Sequence, residues 1–397
     1  MSDVEITVES GIKGDDIGPE LVYYWYSPKV KCGGVVVVDT TVGGRSVGGT
    51  RMLPDITTKE IMWLARDMTY KYATLYRSRG GGKAGIWADP NIPASQREAI
   101  MRAFGKAIKS LVQEGTFVAG IDMGTDHADF VWVREETGQK ASLPNSWLEG
   151  KDGESLDYHF TGYGVVAAAQ AAYDFMKKDI SSATVAIEGF GKVASGVARY
   201  SAQLGAKVVA ISTIRGAIYN EHGLDVNKLI ELRKKVGDDL VLKYEDAKAV
   251  DKQDLFFLPV DILVPGSRPW AINEQNVDKV KAKLISSGAN SPITEEAEEK
   301  LYQRGVTVIP DFISNSGGAL SSHLGGFGVT MDQAFRGIKQ ILGDNVGELL
   351  KASSRENISP TQLAKQQALD TVRRWRAKGA PTDEEYANKL RKAAGTS

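Results

Sequence analysis

The sequence predicts an α/β protein of two domains, the second organised on a parallel, doubly wound sheet, and three observations predict it. Between residues 184 and 309, short apolar runs alternate with helical stretches, at Thr184–Glu188, Lys207–Ser212, Ile262–Val264, Leu284–Ser286 and Val306–Ile309. Strands apolar on both faces belong in a parallel sheet covered by helices. The polar stretch 139–160, with Pro144, Gly150 and Gly153, separates this region from a first third of different texture. The length, 397 residues, suits two or three domains at about 100–200 residues each. The expected boundaries are 1–158 for the first domain and 159–340 for the second, with helices of 341–397 packing back on the first and a cleft between the two.

In chain order, Val35 to Val38 form a β-branched run ending at Asp39, which reads as a strand. The following Gly43-Gly44-Arg45-Ser46-Val47-Gly48-Gly49 reads as a loop. From Thr58 to Leu75 the pattern turns helical, with Ile61, Leu64, Met68, Tyr72 and Leu75 at intervals of three and four. Lys71 lies about 20° from Leu64 around that helix, a cation inside the apolar arc. A second amphipathic helix runs through Ile100, Phe104, Ile108 and Leu111, and from Met331 onward the chain is helical and charged.

Composition narrows the function. With 49 Lys+Arg against 50 Asp+Glu the formal net charge is −1, without the basic stripe of a nucleic-acid binder. Cys32 is the only cysteine, so the chain forms no internal disulfide and no thiolate-built metal site, and a reducing, cytoplasmic setting is expected. His127, His159, His222 and His323 lack ligand spacing, and no metal is expected. The acidic N-terminus lacks the apolar segment of a secretory signal, and no stretch reaches the ~20 apolar residues of a membrane helix.

Strand Thr184–Glu188 runs into Gly189-Phe190-Gly191-Lys192-Val193-Ala194, and a helix through Val197, Tyr200 and Leu204 leads to the next strand at Lys207. This is G-x-G-x-x-A in the strand–turn–helix setting of a Rossmann-type dinucleotide site. The first glycine makes the turn, the second admits a pyrophosphate to the backbone, and the alanine keeps helix and sheet close. An NAD-specific site carries an acid at the end of the second strand. Here the chain reads Ser212-Thr213-Ile214-Arg215, and hydroxyls with a guanidinium suit a 2′-phosphate, so NADP or dual use is favoured over strict NAD.

A second constellation is Met68-Thr69-Tyr70-Lys71, followed by Gly80-Gly81-Gly82-Lys83-Ala84-Gly85, whose glycines imply a backbone lying close to something small. Taken singly, Lys83 reads as a solvated loop lysine and Lys71 as a snorkelling one. Beside a dinucleotide site, two lysines in one cleft offer a carboxylate anchor and a base.

The sequence resembles the glutamate, leucine, phenylalanine and valine dehydrogenase family. The likeness is an ordered series: Gly48-Gly49-Thr50-Arg51-Met52, the two lysine segments, Asp122-Met123-Gly124-Thr125, Thr161-Gly162-Tyr163-Gly164, the dinucleotide turn, Gly288-Ala289-Asn290 and Asn315-Ser316-Gly317-Gly318. The resemblance implies that Lys71 holds the substrate α-carboxylate, Lys83 activates water and Asp122 handles protons at the amine. It implies reversible oxidative deamination of an L-amino acid to a 2-oxo acid and ammonia, with Thr161, Asn290 and Asn315 lining the nicotinamide and substrate side of the cleft, Asn315 among the substrate-binding residues. A homo-oligomer, often a hexamer, is implied as well.

Glutamate-specific members carry a lysine immediately before the Gly-Gly-x-Arg segment, where this chain has Val47 beside Gly48. Burying a carboxylate against valine costs several kcal/mol. Gly120 and Ala319, at pocket-shaping positions, are small, and Ser322 matches a serine that contacts the same carboxylate. The sequence therefore favours an apolar L-amino acid. Glutamate is the alternative, with Arg45 or another cation supplying the missing charge, and a weakly catalytic nucleotide- or amino-acid-binding sensor is the second alternative.

Overall fold

The computed structural model describes residues 13–140 and 157–396. Contacts divide the chain into two units, one of Met1–Ala141 with Gln366–Tyr386 and the other of Ser142–Lys365 with Ala387–Ser397. Of the C-terminal helices expected on the first domain, only the segment Gln366–Tyr386 belongs to unit 1. Ala368, Val372 and Trp375 bury there against Ile17, Val42 and Ala73. The preceding helix Met331–Glu356 turns its apolar stripe, through Ile338, Ile341 and Leu342, into unit 2. Most of the polar stretch 139–160 lies outside the described residues.

Unit 1 holds a five-stranded sheet: β1 (Leu21–Ser27), β2 (Cys32–Val38), β3 (Ser46–Met52), β4 (Gly80–Ile86) and β5 (Phe117–Ile121), in the order β1-β2-β4-β3-β5. β3 is parallel to β4 and β5, while β2 runs antiparallel to β4. One face buries Trp25, Phe104, Phe117 and Phe130, and the other buries Val35, Val37, Ile61 and Leu64. Helix Thr58–Thr74 starts where Thr57 accepts the Glu60 N–H at 3.1 Å.

One expectation is corrected here, and the reading of Lys83 taken singly, as a solvated loop lysine, is set aside. The segment read as a loop becomes β3 from Ser46 on, and Lys83 lies on a fully buried central strand. Neither strand advertises itself, because glycines give no alternating side-chain pattern. What the glycines of β4 approach is the protein itself: a Cβ on Gly81 would stand 2.1 Å from the carbonyl oxygen of Ala65 in helix Thr58–Thr74.

Unit 2 holds seven strands: β6 (Thr184–Ile187), β7 (Lys207–Thr213), β8 (Gly216–Tyr219), β9 (Lys248–Val250), β10 (Ile262–Val264), β11 (Leu284–Ser286) and β12 (Thr307–Ile309). Their order is β12-β11-β10-β6-β7-β8-β9. The five strands read from the sequence pair in parallel, and β8 and β9 add an antiparallel edge. Helices cover the sheet, and Val209, Leu263, Ile285 and Val308 sit in its core. The order reverses beside β6, between β10 and β7, where a doubly wound sheet opens a crevice at its strand ends.

Candidate active site

In unit 1, three side chains from three strands or strand ends meet. Lys83, at the middle of β4, is 3% exposed, and its Nζ lies 2.6 Å from Oδ2 of Asp122, the residue that follows β5. Arg51 on β3, equally buried, brings its Nε to 3.4 Å from the same oxygen and its Nη1 to 2.7 Å from Glu60 Oε1. Gly49 makes room, since a Cβ there would stand 2.8 Å from the Cβ of Asp122. The turn after β5 is locked: the Asp122 N–H donates to Thr125 Oγ1 at 3.0 Å, and that hydroxyl donates to the Thr50 carbonyl at 2.9 Å.

Burial pushes the Asp122 carboxyl up, but the Lys83 ammonium and Arg51 guanidinium outweigh it and hold the group well below the usual carboxylate range. Asp122 is therefore an anion at neutral pH, enclosed by two cations. Arg51 belongs to this cluster although its sequence motif gave it no part. The available signal was its period-2 spacing from Val47 and Gly49, which sets all three on one face of β3.

Lys71 is buried on helix Thr58–Thr74, 7% exposed, as its place in the apolar arc requires. That helix packs directly on β4. Val47, half-buried, pairs with Gly81 and Val118 across the sheet. Gly48 admits no side chain, since a Cβ would stand 1.5 Å from the Gly82 carbonyl oxygen, whereas one on Gly120 would find only the Gly48 carbonyl oxygen, at 3.7 Å. Arg45 lines a cavity with Arg79 and Arg376.

In unit 2, the turn after β6 has the form its motif requires. Gly189 adopts φ +88, and its N–H donates to Ser212 Oγ at 2.8 Å. Gly191 is the N-cap of helix Lys192–Gln203 without a capping side chain, and a Cβ there would meet nothing within 4 Å. Open backbone N–H groups at a helix N-terminus fit a pyrophosphate. Phe190 and Ala194 are buried, Val193 is half-buried and Lys192 is exposed. A Cβ on Gly288, two residues before Asn290, would lie 3.2 Å from Val193 Cγ1, so the segment after β11 adjoins the dinucleotide turn.

Asn315 donates through Nδ2 to the Ala289 carbonyl at 3.1 Å and lies 3.4 Å from Asn290 Oδ1. Its own Oδ1 is buried without a hydrogen-bond partner among the described residues, an acceptor open to a ligand's amide. Thr161 adjoins the same region, 2.6 Å from where a Cβ on Gly318 would stand. Ala319 and Ser322 are half-buried on helix Gly317–Gly326, and the Ser322 hydroxyl donates to the Gly318 carbonyl at 3.1 Å.

The strand end where the sequence expects the adenosine differs from the sequence picture. Thr213 Oγ1 donates to the Asp238 carbonyl at 2.8 Å, and Arg215 Nε lies 2.9 Å from Asp239 Oδ1. The strand end carries no acid of its own, but the short helix Gly237–Asp239 brings the Asp239 carboxylate to it, while the Asp238 carboxylate pairs with Arg233. Among the described residues no group of three His, Cys, Asp or Glu could hold a metal, and no helix is long and apolar enough to cross a membrane.

A cation-flanked carboxylate on one unit and a dinucleotide turn on the other define an amino-acid-type dehydrogenase, and comparison with known proteins agrees. Residues 153–378 match the Glutamate/Leucine/Phenylalanine/Valine dehydrogenase family and residues 30–139 its dimerisation domain, so the chain belongs to this family of amino acid dehydrogenases. The glutamate dehydrogenase of Thermotoga maritima is 33% identical over 350 residues, covering 83% of this chain and 82% of that one. The NADP-specific glutamate dehydrogenase of Saccharolobus shibatae is 34% identical over 286 residues, 70% and 66% of the two chains. Among solved structures, the hetero-hexameric glutamate dehydrogenase of Thermus thermophilus in its Leu-bound form superposes with a TM-score of 0.81 at 24% identity, covering 92% and 91%. The L-tryptophan dehydrogenase of Nostoc punctiforme gives 0.64 at 22% identity, covering 90% and 98%.

Proposed function

We propose that the protein is an NAD(P)-dependent dehydrogenase that oxidatively deaminates an L-amino acid with an apolar side chain, reversibly, to a 2-oxo acid and ammonia. The observation that carries the reading is the Lys83–Asp122 contact at 2.6 Å with Arg51 behind it. The nicotinamide, when bound, accepts the substrate's α-hydrogen as hydride.

Everything else falls to the protein's own groups. Lys71 pairs with the α-carboxylate. Asp122, anionic and half-buried, takes a proton from the substrate ammonium, since hydride leaves readily only from the neutral amine. That proton cancels the negative charge that held Lys83 as an ammonium; Lys83 then releases a proton to solvent, and its neutral amine takes one from the water that adds to the imine carbon. Ammonia then leaves as the carbinolamine collapses to the 2-oxo acid, and the cations Lys71 and Arg51 stabilise the oxygen as charge develops. Asn315, Asn290 and Thr161 hold the carboxamide and ribose, while Val193 and the N–H groups from Gly191 onward hold the pyrophosphate.

Val47 and the open space over Gly120 support an apolar side chain. Glutamate is the second reading, favoured by the relatives' own activity. For the cofactor we infer NADP or dual use, supported by the lack of an acid on the strand end itself and by the NADP-specific relative, with the Arg215–Asp239 pair weighing towards NAD. A homo-oligomeric, hexameric, cytoplasmic enzyme is in keeping with the dimerisation-domain match and the single buried cysteine.

A panel of L-amino acids followed at the reduced-nicotinamide absorbance, with NAD and NADP in parallel, tests the reading. Turnover of leucine, valine or phenylalanine without glutamate supports it. Turnover of glutamate alone replaces it with the second reading, and cofactor binding without turnover of any amino acid replaces it with the sensor.

A further inference from the structure

Unit 1 contains a cavity of about 530 Å³ at the start of β3 and β4, lined among others by Arg45, Arg79, Arg376, Thr41, Trp375 and Asp383. Arg45 immediately precedes β3 and stands six positions, about 20 Å of strand, from Arg51, so the cavity lies at the opposite end of β3 from Asp122 and two positions from Val47.

The charge around it does not balance. Arg79 is 7% exposed, and its Nη2 spans both oxygens of Asp383 at 2.8 Å. Arg77, directly behind, places Nη1 2.7 Å from the same Asp383 Oδ1, so two guanidiniums share one carboxylate. Arg376 uses Glu20, with its Nη2 2.6 Å from Oε1. Arg45 makes no ion pair among the described residues. Four guanidiniums thus face two carboxylates: the buried Arg77 and Arg79 share Asp383, the exposed Arg376 takes Glu20, and the exposed Arg45 keeps its donors free. Burial, with Arg77 and Arg45 adding to it, depresses the proton affinity of Arg79 against the pull of Asp383, as expected where cations crowd.

We propose that this cavity is a binding site for a small dianion, a phosphate ester or a dicarboxylate, gripped by Arg45. The donors of Arg79 and Arg376 are spent on Asp383, Glu20 and the carbonyls of Gly43, Ser78, Asp16 and Ile17, so those two supply the positive field. Arg45 supplies the free planar fork, which matches carboxylate and phosphate oxygens two at a time. The volume falls in the range of small-molecule sites, about 300–1,000 Å³. The proposal rests on the apolar-substrate reading above, because on the glutamate reading Arg45 would meet the side-chain carboxylate of the substrate itself.

The test is calorimetric titration of the full chain with inorganic phosphate and, separately, succinate. NADP is present at saturation, so that neither probe is scored at the dinucleotide turn. The expected result is saturable binding of at least one probe, weakened about tenfold or more by Arg45→Gln, the loss of one charge-assisted pair. Exposed Arg355→Gln should leave it unchanged. Phosphate alone identifies the phosphate ester, succinate that L-glutamate does not displace the dicarboxylate, and both, lost together in Arg45→Gln, the shared chemistry; succinate displaced by L-glutamate assigns Arg45 to the substrate site and overturns the proposal. Absence of saturable binding by either probe, or undiminished binding in a folded Arg45→Gln variant, overturns the proposal.

Discussion

Arg51 and Lys83 reach the same carboxylate oxygen of Asp122, at 3.4 and 2.6 Å, from two neighbouring parallel strands. The pairing fixes which of the three groups holds the negative charge before substrate arrives. On the proposed reading, a substrate ammonium enters as a third cation around an anion already shared by two.

For Lys83, the expectation is that Lys83→Ala lowers kcat by about 10²–10⁴, the usual worth of a proton-transfer group, and leaves cofactor affinity nearly intact. Steady-state kinetics with cofactor titration by fluorescence check this. Near-normal turnover in the variant would remove Lys83 from the chemistry.

Arg51 should set the acidic limb of the pH profile. Removing its charge in Arg51→Gln raises the proton affinity of Asp122, so kcat/KM should begin to fall at a pH about one unit higher, equivalent to ~1.4 kcal/mol of lost ion pairing. Glu60→Gln removes a negative charge from the same cluster and should not raise the limb. If both variants raise it, the effect is structural disturbance and the electrostatic account fails.

At the adenosine end, Asp239 competes for the guanidinium that a 2′-phosphate needs. Asp239→Asn should therefore increase the ratio of kcat/KM for NADP over NAD by several-fold, and Thr213→Asp should decrease it. Unchanged ratios in both would show that this strand end does not set the preference.

Glu298 predicts a stability trend. Burial pushes its carboxyl up to about 8, with Lys365 and Thr361 opposing and Asp311 reinforcing. The folded protein retains a proton there that the unfolded chain releases above its ordinary value of 4.5. The associated stability is complete below that value and disappears as the pH climbs through 8. Glu298→Gln, which imitates the protonated form, should melt higher than the wild type at pH 8.5 and close to it at pH 4.5. Parallel melting curves at both pH values would contradict the assignment.

How much of this was legible in the sequence depends on side-chain pattern. Ile262–Val264 and Leu284–Ser286 are strands with the bounds their apolar runs indicate, and Lys71 is buried as its angular position requires. β3 and β4 escaped because a glycine strand has no facial alternation to read. The β8–β9 edge escaped because its segments, Gly-Ala-Ile-Tyr and Lys-Ala-Val, lack the continuous large apolar run that marks β10 and β11. Arg51 with Asp122, and Arg215 with Asp239, are partnerships across 71 and 24 positions of chain, created by strand register and by a returning turn. Local spacing carries no trace of either.

The bare backbone of β4 has a consequence for the tolerances of the molecule. At Gly81 the layer bearing Lys71 rests on the strand bearing Lys83 with no side chain as a spacer. A single methyl group inserted there would act as a wedge, lifting one ammonium-bearing layer away from the other without altering either lysine. The alignment of the two amines is thus machined into a position that carries no chemistry of its own.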